Sequence, residues 1–168
     1  MKWTGAMLIV GAFGYYGWKQ AADYRREERI LRQILRTLEW VCNELACRMW
    51  PLPVLFRHGA ETMEGELRSI LLELAGEMEQ FTAADAYQCM ICVLDHHSDL
   101  PENCKSILLN FGSSLGKFDL SGQLKEIMHI QEDVRAVLAE FAANRDEKLR
   151  CRWTLSLCAG IALAIVLL

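Results

Sequence analysis

Two short apolar runs stand at the ends of the chain, and each has its basic residues on the side that faces the middle of the sequence. Residues 3–18 (WTGAMLIVGAFGYYGW) and 153–168 (WTLSLCAGIALAIVLL) contain no Asp, Glu, Lys, Arg or His and are predicted to be transmembrane helices. The flanking basic residues are Lys19, Arg25, Arg26, Arg29 and Arg32 after the first run, and Arg145, Lys148, Arg150 and Arg152 before the second. Because Lys and Arg beside a span are retained in the cytoplasm, the pattern predicts a cytoplasmic domain over residues 20–150.

Each run is short for a membrane span. Sixteen residues at 1.5 Å each cover roughly 24 Å, against a hydrocarbon core of about 30 Å. Trp3, Trp18 and Trp153 stand where an interfacial aromatic belt is expected. A cleaved signal peptide is the alternative for the first run, although the basic residues that follow oppose translocation. Small residues that permit close packing of membrane helices in a homo-oligomer recur at Gly11, Gly14, Gly17, Ser156, Gly160 and Ala164.

Charge and cysteine usage restrict the partners and the compartment. The formal net charge is −4 and the pI is about 5.6, so binding of nucleic acid is not expected. The seven cysteines, an odd number, have no spacing typical of a disulfide framework. A reducing compartment is therefore expected, which agrees with a cytoplasmic middle domain.

The middle of the chain has helical periodicity throughout. Its apolar residues recur three and four positions apart, without the alternation typical of strands. A first long helix is predicted over residues 21–49, and its apolar face comprises Leu31, Ile34, Leu38, Val41 and Leu45. The segment Trp50–Pro53 must interrupt this helix, because each proline lacks an amide donor.

Five further helices are predicted after this break. The boundaries of these helices are marked, in chain order, by a stop after His58 at Gly59, an N-cap at Thr62, a capping-box variant at Thr82-Ala-Ala-Asp85, Pro101, Gly116, and Asp119 or Ser121. No helix breaker separates the last helix from the second apolar run. The chain is therefore predicted to be all-α, an antiparallel bundle of about six helices flanked by an N-terminal and a C-terminal transmembrane helix.

One cluster has the residue types of a metal or redox site. Cys89, Cys92 and His96 fall on one face of a predicted helix. A structural zinc site needs four ligands, and no second Cys pair with this spacing occurs in the chain. Cysteine is also among the most buried residue types, so core packing is the expected role. A metal- or redox-sensing membrane protein that uses these three residues is the alternative function.

Two other motifs fail the requirements of the sites they resemble. The segment Gly112–Phe118 has three residues between its glycines and no hydroxyl after Lys117, whereas a phosphate-binding loop needs four and a Ser or Thr. The segment Asp95–Asp99 contains Asp, His and Ser in succession, and consecutive residues cannot converge as a catalytic triad does. No enzymatic activity, cofactor or metal is therefore predicted.

Two further motifs resemble the hallmarks of the stage III sporulation protein AB family. The first is Glu44-Leu45-x5-Pro51-Leu52-Pro53 at the end of the first long helix, and the second is Leu115-Gly116-x2-Asp119-x3-Gln123 ahead of the last helix. The two-span layout and the length also match, so the resemblance covers nearly the whole chain. Phe118 and the number of cysteines depart from the family pattern, which puts only local contacts in doubt. The residues carried over are Glu44, Pro51, Leu52, Pro53, Gly116, Asp119 and Gln123.

This resemblance implies a role in endospore formation. The protein would be a non-catalytic part of a secretion-like channel from the mother cell into the forespore, located in the outer forespore membrane. Its expected partners are other channel membrane proteins, membrane lipids and a cytoplasmic ATPase, for which it would be an adaptor. The soluble domain would be similar to the platform domains of type II secretion and type IV pilus systems. The motif residues would either contact a partner or serve the fold, with Gly116 as a C-cap and Asp119 as an N-cap.

Overall fold

The protein is all-α over the part of the chain that the structure describes. This computed structural model describes the backbone of residues 2–48, 50–80, 85–116 and 119–167, and the side chains of residues 15–16, 18–48, 50–80, 85–116 and 119–143. These residues form six helices and no strand: α1 Lys2–Arg48, α2 Leu52–Thr62, α3 Glu66–Glu79, α4 Ala86–His96, α5 Glu102–Ser114 and α6 Leu120–Leu167. The predicted fold class is therefore confirmed at the level of six helices.

The chain divides into two compact units. One comprises Met1–Glu28 with Ala139–Leu168, and the other comprises Arg29–Leu138. Helices α1 and α6 contain 47 and 48 residues, and each contributes to both units. The prediction that no break separates the last helix from the second apolar run is thus confirmed for the backbone.

The core of the Arg29–Leu138 unit uses the apolar face predicted for α1. The five residues of that face are all buried: Leu31, Ile34, Leu38, Val41 and Leu45. Helix α2 packs on α3, α3 on α4, and α4 on α5. Phe56 and Phe111 meet edge to face, with 6.0 Å between ring centres. Burial of each large apolar side chain contributes about 1.5–3 kcal/mol, so this shared core is the main source of stability.

The break between α1 and α2 falls where the prolines predict it, but the end of α2 was predicted wrongly. Helix α2 continues past His58 and through Gly59 to Thr62. Gly59 is required for packing, because a Cβ atom there would lie 2.9 Å from Cζ3 of Trp40 on α1. The glycine therefore permits a close helix contact and does not end the helix.

The predicted N-cap at Thr62 is also wrong. Thr62 is the last residue of α2, and its hydroxyl donates to the carbonyl oxygen of Gly59 at 2.8 Å. Helix α3 begins after Gly65, which has φ +70° and so adopts a conformation that favours glycine. The next helix, α4, begins after Asp85, which is itself the N-cap and not the third helical residue of a capping box: its carboxylate accepts from the amide of Gln88 at 2.8 Å. The other residues of that predicted capping motif, 82–84, lie outside the described residues.

In the unit Met1–Glu28 with Ala139–Leu168, one aromatic pair joins α1 to α6. The Tyr24 hydroxyl donates to the carbonyl oxygen of Phe141 at 3.2 Å, and the two rings stack with 4.6 Å between their centres. Tyr15, Tyr16 and Trp18 are exposed on α1. No stretch of helix within the described residues is long and apolar enough to cross a bilayer. Most of the predicted span 3–18, and all of 153–168, lie outside the residues whose side chains are described.

Candidate functional site

The first family-like motif lies where α1 ends and α2 begins. We call this region the α1–α2 corner and define it as Glu44, Arg48, residues 50–54 and His58. Pro51, with φ −56° and ψ 138°, leaves helical geometry, and α2 starts at the next residue. The amide of Leu55 donates to the carbonyl oxygen of Pro51 at 3.0 Å, which closes the first turn of α2. Pro53 falls within this first turn, where its missing amide hydrogen costs no helical hydrogen bond.

Four side chains of the corner follow one another in contact. Glu44 Oε2 is shielded from solvent and lies 3.4 Å from Arg48 Nε, an ion pair without hydrogen-bond geometry. The Arg48 guanidinium carbon lies 5.3 Å from the centre of the Trp50 ring, within the range of a cation–π contact. The rings of Trp50 and His58 are 4.9 Å apart, and His58 pairs with Glu61 at 3.3 Å. Glu44 thereby helps to hold Arg48 over Trp50.

An apolar turn open to solvent adjoins these side chains. Pro51 is exposed, Leu52 and Pro53 are half-buried, and Val54 is 45% exposed. Trp and Arg are enriched at the energetic centres of protein interfaces, and both stand here beside accessible apolar residues. The chemistry of the corner therefore suits contact with another protein.

The second family-like motif forms the turn between α5 and α6. Leu115 is buried, and Gly116 has φ +78°, the left-handed conformation typical of a residue that follows a helix. The Asp119 carboxylate accepts from the amide of Gly122 at 3.2 Å and from the Ser121 hydroxyl. These two hydrogen bonds, that of Ser121 first, lower the pKa of Asp119 from its ordinary value.

Gln123 completes this motif as part of the first turn of α6. Its amide donates to the carbonyl oxygen of Asp119 at 2.9 Å, and its side chain is half-buried. The capping positions of Gly116 and Asp119 are thus as expected from the resemblance. Among the described residues, the side-chain hydrogen bonds of this motif stay within the turn between α5 and α6. The ion pair and the cation–π contact at the first motif likewise stay within the α1–α2 corner.

The structure does not favour a metal or redox site at Cys89, Cys92 and His96. Cys89 is packed in the core, and burial raises the pKa of its thiol, so little of the metal-binding thiolate is present at neutral pH. Cys92 is exposed, and His96 lies 3.7 Å from the carboxylate of Glu73. Within the described residues, no three His, Cys, Asp or Glu side chains form a group able to hold a metal ion.

The phosphate-loop-like segment Gly112–Phe118 and the segment Asp95–Asp99 lie at the ends of helices. Residues 112–114 belong to the last turn of α5, while Lys117 and Phe118 lie outside the described residues. In the segment Asp95–Asp99, His97 follows the end of α4, and its Nε2 lies 3.2 Å from Oε1 of Glu73.

Arg48, Trp50 and His58 were not predicted from the sequence to be functional residues. Arg48 and Trp50 stand next to the proline motif, which is the one signal that could have pointed to them. His58 joins them only because α2 folds back so that its second turn meets Trp50. That juxtaposition depends on the geometry of the proline turn and is not encoded in the spacing of the residues.

The fold and these surfaces define a class of all-helical proteins in which two long helices are linked by four short ones. The chain belongs to the stage III sporulation protein AB family, because the sequence model of that family matches residues 2–168. A solved structure of stage III sporulation protein AB (SpoIIIAB) has a similar fold, with a TM-score of 0.65 and 18% sequence identity over 73% of this chain and 98% of the solved chain. No curated protein matches the chain. Family membership implies a role in stage III of sporulation.

Proposed function

We propose that the protein is a non-catalytic, membrane-anchored adaptor of a secretion-like channel between mother cell and forespore, and that it binds a cytoplasmic ATPase. The observation that carries the proposal is the family match over residues 2–168, which includes both terminal apolar runs as well as the helical middle. The sporulation role follows from the family, while the adaptor role and the ATPase follow from the resemblance.

The proposed anchors are residues 3–18 and 153–168, which place residues 20–150 in the cytoplasm. Two described features support these anchors. Tyr15, Tyr16 and Trp18 are 65%, 59% and 64% exposed, as expected of an aromatic belt at a membrane surface. Helices α1 and α6 also continue without interruption through residues 3–18 and 153–167, so the backbone amides beyond the first turn of α1 have helical partners, as a bilayer requires.

The proposed partner contact is the α1–α2 corner. Its support is the accessible apolar turn beside Trp50 and Arg48, together with the family motif that the corner contains. Val54 is the residue to change, because its side chain is 45% exposed and is not part of the buried core. Leu72 on α3, which is 41% exposed, offers a matched control at a surface outside the corner.

The experiment measures binding of the purified sporulation ATPase of the same bacterium to the full chain in lipid nanodiscs. Wild type is expected to bind, Val54→Glu to weaken binding about tenfold, and Leu72→Glu to leave it unchanged. Failure of the wild-type chain to bind would remove the adaptor role. Equal binding by Val54→Glu and wild type would remove the corner as the contact while leaving the adaptor role in place.

A further inference from the structure

A guanidinium in the α1–α2 corner has hydrogen-bond donors that the chain leaves unused. The Arg48 side chain is 58% exposed, and its ion pair joins Nε to Glu44 Oε2 at 3.4 Å without hydrogen-bond geometry. Among the described residues, no group accepts a hydrogen bond from Arg48. A guanidinium carries five N–H donors in one plane, so Arg48 can still bind an acceptor that another molecule supplies.

Two contacts hold Arg48 in place before any partner binds. Glu44 lies on the Nε side of the guanidinium, and the centre of the Trp50 ring lies 5.3 Å from the guanidinium carbon. Ordering a long and flexible side chain opposes association. Because these contacts already order Arg48, its ligand has less conformational entropy to overcome than the ligand of a freely moving arginine.

An apolar surface continues from Arg48 into α2. The ring of Trp50 lies 4.9 Å from that of His58, and His58 is one turn beyond Val54 on the same side of α2. Val54 is 45% exposed, and Pro51 is exposed as well. Positively charged donors and an accessible apolar surface therefore stand side by side in the corner.

We propose that the α1–α2 corner binds a segment of a partner protein that carries a carboxylate and an apolar side chain close together. The carboxylate binds the guanidinium of Arg48, and the apolar side chain packs against Trp50 and Val54. A guanidinium binds a carboxylate through two parallel hydrogen bonds, which fixes the orientation of the segment. The inference rests on the proposed function in taking the corner as a partner contact, and it adds which chemical groups the partner supplies.

The charge of the corner fits one carboxylate better than a lipid surface or a nucleic acid. Anionic bilayers and polyphosphate chains attract clusters of several basic residues. The corner has one arginine, with the Glu44 carboxylate inside it and the Glu61 carboxylate at its edge. A single partner carboxylate on the Nη side of Arg48 lies closer to this cation than to Glu44, so attraction exceeds repulsion.

The experiment is photo-crosslinking in sporulating cells with the full chain, with p-benzoylphenylalanine in place of Glu61. The Glu61 side chain is 69% exposed and contacts His58, so the probe stands at the edge of the corner without filling it. The expected result is an adduct with another protein, whose crosslinked segment, mapped by mass spectrometry, contains Asp or Glu near apolar residues. Because many segments have this composition, the decisive measurement is the change in adduct yield when charges are reversed.

Three substitutions test the role of Arg48. Arg48→Glu should lower the adduct yield about tenfold, and replacement of the mapped partner carboxylate by arginine should restore it. Arg48→Lys keeps the positive charge but lacks the planar fork, so it should lower the yield about threefold. The control, Arg68→Glu on α3, makes the same change in charge at an exposed arginine outside the corner and should leave the yield unchanged.

Every other outcome overturns the inference. These outcomes include no adduct, an adduct only with lipid, an adduct with a second copy of the chain, an adduct on a segment without Asp or Glu, and a yield that Arg48→Glu leaves unchanged. Circular dichroism of the purified chain checks that each variant folds. Arg48→Gln, which removes the charge without repulsion from Glu44, should lower the yield severalfold and serves where Arg48→Glu does not fold.

Failure of this inference is distinguishable from failure of the proposed function. If the ATPase binds Arg48→Glu as tightly as wild type but binds Val54→Glu more weakly, the corner stays the ATPase contact and the partner carboxylate is wrong. If the ATPase does not bind the wild-type chain, while the adduct forms with another protein and depends on charge as expected, the adaptor role is removed and the inference is supported.

Discussion

Gly112 allows α5 to approach α4 closely, and its replacement by alanine tests the packing of this pair. A Cβ atom on Gly112 would lie 2.9 Å from Cβ and 3.2 Å from Cγ of Met90, and 3.5 Å from the carbonyl oxygen of Ala86. The nearest atom is a Cβ, which cannot move without its backbone. Accommodation of the methyl group therefore requires the two helices to separate.

The expected effect is a net loss of stability. Overpacking of a well-packed core costs about 1–3 kcal/mol, and replacement of glycine by alanine within a helix recovers roughly 0.5–1 kcal/mol. Gly112→Ala should therefore lower the free energy of unfolding by about 1 kcal/mol, within a range of roughly 0–2.5 kcal/mol. Gly76 in α3 is the matched control, because nothing lies within 4 Å of the corresponding Cβ position. Gly76→Ala should raise stability by roughly 0.5–1 kcal/mol.

The assay is urea unfolding of the full chain in mild detergent, followed by far-ultraviolet circular dichroism. The two alanine variants have the same chemical change and the same intrinsic helix propensity, so the difference between them isolates the contact with Met90. If Gly112→Ala stabilises the protein as much as Gly76→Ala does, this result would contradict the close approach of α5 to Met90 on α4.

Three further outcomes are expected. Asp119→Asn keeps a capping oxygen but removes the charge. Because hydrogen bonds lower the pKa of Asp119, the wild-type protein should be more stable than this variant above the ordinary carboxyl pKa, and the advantage should vanish as the pH falls through the lowered pKa. Thermal melts of both proteins at several pH values measure this difference. Arg29→Gln with Arg36→Gln, at two exposed positions of α1, should leave the melting temperature unchanged or slightly higher, because it relieves repulsion between arginines of a few tenths of a kcal/mol per pair; a marked drop would show that these arginines stabilise the fold. Chelation should change neither the circular dichroism spectrum nor the melting temperature, and stoichiometric zinc in the purified protein would contradict this.

The helices could be predicted from the sequence because their apolar positions repeat regularly. Leu31 to Leu45 form a face that is buried as predicted, since helical period alone decides which side of α1 turns to the core. The end of α2 could not be predicted in this way. Gly59 has the local signal of a helix stop, but the space it leaves is filled by Trp40 of another helix, and such a tertiary contact overrides a local preference.

In the candidate surfaces, too, local features could be predicted from the sequence and tertiary contacts could not. The caps at Gly116 and Asp119 depend on local backbone geometry, and local sequence is sufficient to predict them. The contact of Trp50 with Arg48 and His58 required the three-dimensional path of the proline turn. The burial of Cys89 disfavours the metal alternative, and a Cys-x-x-Cys spacing does not specify burial.

The central claim is that a cytoplasmic helical domain is anchored to the membrane at both ends, and labelling of cysteines in vegetative cells that express the full chain tests it most directly. Cysteines are placed after Met1 and at Leu168→Cys, and the exposed native Cys47 and Cys92 serve as markers of the middle domain. A membrane-impermeant maleimide should label the two tips in intact cells, and should label Cys47 and Cys92 only after permeabilisation. Tips that stay protected until permeabilisation, or a middle domain that is labelled in intact cells, would contradict the account.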